Sequence, residues 1–122
     1  MVAAVRALRG DTTVDEDTVE QIMDRGMALL EAMLERNGVG HEDIVSIVFT
    51  ATDDVHAAFP AAAARKLGLG DVPLLCAREL EVVDGTPLCI RVLMTLTTER
   101  TRAELRHVYL EGARGLRDDL PG

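Results

Sequence analysis

Residues 88–98, LCIRVLMTLTT, constrain this chain more than any other stretch. They form a nearly unbroken run of strand-favouring residues, preceded by the turn signal Asp84-Gly85. Side chains alternate across a strand, so Leu88, Ile90, Val92, Met94 and Leu96 share one face. Cys89, Arg91, Leu93, Thr95 and Thr97 share the other. The first face is apolar throughout and has to be covered. The second carries an arginine in mid-strand among apolar neighbours, where an unpaired guanidinium is costly to desolvate. Arg91 therefore needs an anion. A structural carboxylate such as Glu79 would serve, and so would an anionic ligand held in a forked, bidentate grip. The pattern leaves both readings open.

The rest of the chain supplies layers for that strand. Residues 2–9 alternate loosely and are expected to form a strand closed by Gly10. Residues 18–36 are expected to be helical, with Asp17 as the cap and Glu20 completing a capping box. Val19, Ile22, Met23, Leu30, Met33 and Leu34 recur at helical spacing, and Gly38 follows as a stop signal. Gly26 within this pattern costs about 1 kcal/mol against alanine and points to a close helix–sheet approach. Residues 44–50, IVSIVFT, read as a central strand buried on both faces. Asp53 and Asp54 mark a turn, Pro60 opens a second helix reaching about Leu67, and Gly68 and Gly70 end it. A further strand is expected at 72–77, and helical turns around Tyr109 over 101–117. The order β-α-β-α-β-β-α predicts one α+β domain over residues 1–122, a layered fold with helices packed on a mixed sheet.

Composition removes several classes of function. A net charge of −8 opposes nucleic acid, whose phosphates most of the surface would repel. No apolar run approaches the roughly 20 residues of a membrane span, so no membrane partner is expected. Arg6 and Arg9 interrupt the first ten residues too early for a signal peptide, and the expected location is cytoplasmic. Cys76 and Cys89 are then expected as free thiols. With no Trp, one Tyr and two Phe, a lone monomer would depend on aliphatic packing, and oligomerisation would bury more surface.

Searches for familiar chemistry fail. Ser46 is the only serine and lies inside an apolar strand with no histidine at local spacing. Free cysteines ordinarily pack as small apolar groups. Asp53-Asp54-x-His56 is a weak metal signal that a turn followed by a helix cap explains better. His107 could orient a neighbour, though a packed imidazole is its default. No Gly-rich phosphate loop is present. The arginines remain: Arg9, beside Gly10, could join Arg91 around an anion, and so could Arg65, although an arginine on a short helix is by default a solvated group.

Five blocks then resemble the monofunctional trimeric bacterial chorismate mutases of the Bacillus type. They are R-x-x-RG-x-TTV (6–14), F-x-A-T-x-D-x-x-x-x-FPA-x-A-x-R (49–65), VP-x-x-C-x-x-E (72–79), C-I-R-V (89–92) and RHVYL-x-x-A-x-x-LR-x-DL (106–120). They lie in the family's order and spacing over essentially the whole chain. The resemblance implies a pseudo-α/β-barrel homotrimer with active sites between subunits. It implies the rearrangement of chorismate to prephenate on the way to phenylalanine and tyrosine. It also implies that no metal or cofactor is required. Position by position, Arg91 matches the arginine that contacts the substrate's ether oxygen and a carboxylate. Glu79 matches the acceptor for the ring hydroxyl, with Cys76 as its companion. Arg9 and Tyr109 match carboxylate binders. Phe59, Ala61 and Leu116 match apolar wall positions, Arg65 a basic residue at the cleft mouth, and Arg117 part of a mobile tail over about 116–122.

Three positions depart from that pattern. Ala62 stands where some members have lysine, Asp118 where proline is common, and Asp11 replaces a small residue and puts an acid close to Arg9. Two competing classes remain: a trimeric protein of similar build acting on other carboxylates, as the imine/enamine deaminases do, and a non-catalytic ligand-binding regulator. The combination of Cys76, Glu79 and Cys89-Ile90-Arg91 favours the mutase over both.

Overall fold

The computed structural model describes residues 2–115. Five strands form one mixed sheet: β1 (Ala4–Thr13), β2 (Ile44–Ala51), β3 (Leu74–Arg78), β4 (Cys89–Thr98) and β5 (Val108–Tyr109), in the order β3-β2-β4-β1-β5. Two helices, α1 (Val19–Asn37) and α2 (Ala61–Lys66), lie between β1 and β2 and between β2 and β3. β4 is the central strand, antiparallel to β1 on one side and to β2 on the other. β3 runs parallel to β2, and β5 parallel to β1. The expected α+β layering is present.

The alternation along β4 decides which face the helices cover. Ile90, Val92, Met94 and Leu96 are all at most 2% exposed. The last three share one core with Leu29, Leu30 and Met33 of α1 and with Ala63 and Ala64 of α2. On the opposite face, Val5, Leu93 and Leu75 stand 64, 49 and 63% exposed. That face is an open apolar surface, crossed by the row Arg9, Leu93, Val48 and Leu75 in register.

Several sequence expectations shift. β1 does not stop at Gly10 but continues to Thr13. A Cβ on Gly10 would stand 2.4 Å from the Met33 sulfur and 3.0 Å from Leu29, so glycine lets the strand pass beneath α1. The cap of α1 is Thr18, whose hydroxyl accepts the Gln21 N–H, rather than Asp17 with Glu20. Asp17 is spent elsewhere, on the backbone N–H groups of His56 and Ala57. α1 does end at Gly38, which adopts the left-handed conformation (φ 60°) that glycine accepts without steric cost. β2 is not buried on both faces as expected: the helices cover only one side of the sheet, and its other face stays open.

The largest revision concerns residues 101–115, the described part of the stretch expected to make helical turns over 101–117. Instead of a helix, the chain makes a 3-10 turn (Arg102–Glu104), the short strand β5, and a second 3-10 turn (Glu111–Ala113). The buried Asn37 at the end of α1 anchors this segment. Its side-chain amide donates to the Arg106 carbonyl and its oxygen accepts the Arg106 N–H. Backbone groups satisfied from outside do not need a helix of their own, and β5 pairs with β1 instead.

Gly26 marks a helix–helix contact, not the helix–sheet approach its position suggested: a Cβ there would lie 2.9 Å from the Ala63 Cβ of α2. Two effects oppose each other on replacement by alanine. Helix propensity favours it by about 1 kcal/mol, whereas overpacking between rigid backbones costs about 1–3 kcal/mol. Gly26→Ala should therefore lower stability by about 1 kcal/mol in denaturant titration, and adding Ala63→Gly should recover most of that loss.

Candidate active site

One rung across four strands of the sheet brings four residues together. Asp11 on β1, Arg91 on β4 and Thr50 on β2 are direct neighbours in register, and Tyr109 on β5 flanks Asp11 on its other side. All four project to the face that the helices leave open, because Arg91 alternates with the buried Ile90 and Val92. Glu79 follows the end of β3, where its backbone N–H still donates to the Ala51 carbonyl. That bond places its side chain beside Thr50, whose hydroxyl donates to Glu79 Oε2 at 2.5 Å.

Arg91 is bracketed by two carboxylates without being gripped by either. Its Nε lies 3.6 Å from Asp11 Oδ2 and 3.7 Å from Glu79 Oε2. Both separations are too long for a hydrogen bond, and this buried Nε finds no hydrogen-bond partner among the described residues. Burial alone would lower the Arg91 pKa; the Cys89 thiol, Glu79 and Asp11 outweigh it and hold the guanidinium above its ordinary value. Burial conversely pushes the Cys89 thiol up. Both unspecified partners foreseen for Arg91, a structural carboxylate and space for a ligand, are therefore present at once.

Arg9 is paired differently. Its Nε donates to Asp11 Oδ1 at 3.0 Å and its Nη2 to Oδ2 at 2.9 Å, a two-point grip on a carboxylate with no exposure of its own. That hydrogen bonding is the main reason the Arg9 pKa is raised. The Arg9 backbone N–H donates to His107 Nδ1 at 3.0 Å, so His107 packs against β1.

Two clefts adjoin the row. The first, about 440 Å³, is lined by Arg91, Glu79, Thr52 and the loop through Leu80, Val82 and Pro87. The second, about 570 Å³, is lined by Cys76, Phe59, Pro60, Val55 and Arg78 and shares Thr52 and Asp53 with the first. The expected site residues thus divide. Arg91, Glu79, Arg9 and Tyr109 gather around Asp11 and Thr50 on the open face, whereas Cys76 faces the second cleft beside Phe59, which is 72% exposed. Ala61 is buried in the core at 3% exposure, and Arg65 is exposed on α2 away from both clefts. Leu116, Arg117 and the tail over 116–122 lie outside the described residues, as does Asp118. Thr50 was not singled out from the sequence: a strand threonine carries no local mark, and only the register shows it facing Arg91.

The weak metal signal resolves into loop chemistry. Asp54 accepts from the Thr52 hydroxyl and the Leu88 N–H, Asp53 pairs with Arg78, and His56 pairs with Asp17. Among the described residues no cluster of His, Cys, Asp or Glu is arranged to hold a metal ion. No helix among the described residues is long and apolar enough to cross a membrane.

A mixed sheet covered by helices on one side, with paired arginines and carboxylates on the other, defines a small α+β protein with a charged cleft on its open face. Residues 5–120 match the family model of chorismate mutase type I, and the chain belongs to that family. It is 45% identical to chorismate mutase AroH of Bacillus subtilis over 117 residues, covering 95% of this chain and 92% of that protein. It is 47% identical to chorismate mutase AroH of Thermus thermophilus, covering 95% and 96%. The solved chorismate mutase from Clostridium thermocellum superposes with a TM-score of 0.88 at 43% identity, over 89% of this chain and 97% of that one.

Asp17 anchors the loop that carries Phe59. Its Oδ1 accepts the N–H groups of His56 and Ala57, both at 2.9 Å, and its Oδ2 lies 2.8 Å from His56 Nδ1. The Ala57 N–H is the leading cause of a carboxyl pKa below its ordinary value, with His56 contributing further. A carboxylate whose folded pKa is depressed stabilises the fold above its unfolded pKa, and that contribution disappears as pH falls through the folded one. Asp17→Asn should thus lower the melting temperature at neutral pH, and the gap from the parent protein should close as the pH falls through the depressed folded pKa of Asp17.

Proposed function

We propose that this chain catalyses the rearrangement of chorismate to prephenate, in the cytoplasm, as a homotrimer on the route to phenylalanine and tyrosine. Membership of the chorismate mutase family supports the reaction. The observation that carries the mechanism is Arg91: a fixed, half-buried guanidinium whose Nε has no hydrogen-bond partner among the described residues. The step is unimolecular and moves no proton, so the protein's task is to fold a flexible dianion into a compact reacting geometry and to stabilise charge as the ether C–O bond breaks. Arg91 meets the ether oxygen and a carboxylate, and its stem on the central strand means no reorganisation is required when charge develops. Glu79, steadied by Thr50, accepts the ring hydroxyl. Arg9 and Tyr109 hold carboxylate. Chemistry of this kind asks nothing of a metal or a cofactor.

The trimer explains two features of the single chain. Cys76, Phe59, Ala61 and Arg65 stand apart from the Arg91 row, as expected when a neighbouring subunit completes each site. Val5, Leu75 and Leu93 leave an apolar sheet face open to solvent, and contact between copies would cover it. Leu116 and Arg117 are assigned to the ligand side on the family resemblance.

Two measurements test this reading. Loss of chorismate ultraviolet absorbance should be accelerated by the purified protein. Arg91→Ala should reduce kcat by at least about 10²–10³, and Arg91→Lys should restore little, because a point charge cannot reproduce the fork. Near-normal kcat in Arg91→Ala would remove Arg91 from the mechanism. Mass measurement in solution should give three copies of the 13.2 kDa chain.

A further inference from the structure

Asp11 is the one charged residue of the site with no exposure at all, and the proposed reaction gives it no role. A carboxylate withdrawn from water is tolerated only when paired. Here it is paired by both arginines of the row: Arg9 through two hydrogen bonds and Arg91 through its Nε at 3.6 Å. The consequence falls on the ligand. The guanidiniums of Arg9 and Arg91 and the carboxylates of Asp11 and Glu79 cancel in charge, so these four groups together offer a dianion no net attraction. The Nε–Nη2 edge of Arg9, one of the two edges that can grip a carboxylate side by side, is already filled.

We propose that Asp11 is an internal counter-ion that occupies the carboxylate grip of Arg9 and thereby weakens the site's affinity for its dianionic ligand. The inference rests on the mutase reading for the identity of that ligand. To bind, the substrate carboxylate draws Arg9 away from Asp11. Asp11, walled in, stays where it is, with the nearby charge of Arg91 as its remaining compensation. Arg9 can make this exchange because its side chain remains 29% exposed, whereas Asp11 cannot follow it. The alternative is that Asp11 is a strut that holds Arg9 in its binding pose. The two roles predict opposite signs: loss of a competitor lowers KM, and loss of a strut raises it.

Steady-state kinetics with chorismate on Asp11→Ala and Asp11→Asn decides between them. The asparagine variant keeps the volume should the alanine variant fold poorly. KM should fall about tenfold in each, with most of the change in KM and less of it in kcat. In an Arg9→Ala background the same substitutions should leave KM within about twofold, since the competition runs through Arg9. An unchanged or raised KM overturns the proposal, as does an undiminished gain without Arg9. Adipate, an inert dicarboxylate, is titrated by calorimetry against the parent and Asp11→Asn in parallel. Absence of turnover in the parent would count against the mutase reading, whereas equal adipate affinity in the two proteins would count against this one.

Discussion

A guanidinium standing on a sheet, short of water, obliges its surroundings to answer it with negative charge, and the open face of this protein is organised around that obligation. Arg91 sits on the central strand, so its answer has to come from the strands on either side. Asp11 arrives from β1 and Glu79 from the end of β3, steadied by the Thr50 hydroxyl of β2. Neither carboxylate closes to hydrogen-bond distance. The charge is compensated well enough to persist in a half-buried setting, yet its directional donor is left unspent. A side chain satisfied electrostatically and unsatisfied geometrically is what a preorganised cation for a developing anion requires.

That arrangement depends on rigidity behind it. The face of β4 away from Arg91 is anchored by Ile90, Val92, Met94 and Leu96, three of them in one core with both helices. Gly10 and Gly26 let α1 approach β1 and α2 more closely than any side chain would allow. Asn37 ties the end of α1 to Arg106, from which the chain enters β5 and delivers Tyr109 beside Asp11. Asp17 reaches from the start of α1 to the loop before Phe59. The helices thus position both sides of the site although neither helix supplies the central charges.

Much of this was legible in the residues. The alternation along 88–98 gives the strand, its buried face and the exceptional position of Arg91, because a period of two needs no tertiary information. The helix over 18–36 and the layered class follow from spacing in the same way, and five motif blocks carry the family. The misses share a cause. Asp17 resembles a helix cap by local spacing, but its carboxylate bonds a loop nearly forty residues on. The stretch around Tyr109 resembles helical turns, but Asn37 holds the backbone of Arg106 from outside and the chain then pairs with β1. Cys76, adjacent in the motif to Glu79, faces the neighbouring cleft, because residues three apart on an extended chain point to opposite sides.

By itself the sequence determined the order of elements through β4, the face that β4 buries, and the presence of a cation that needs an anion. Only the tertiary structure decided which anions answer it. Asp11 and Arg91 are eighty residues apart, and whether they meet is a matter of strand register. A slip of one residue would turn Asp11 to the other face, and the register is set by packing β1 and β4 together beneath α1. A local pattern carries the period of a strand. The partner across the sheet is chosen by the core.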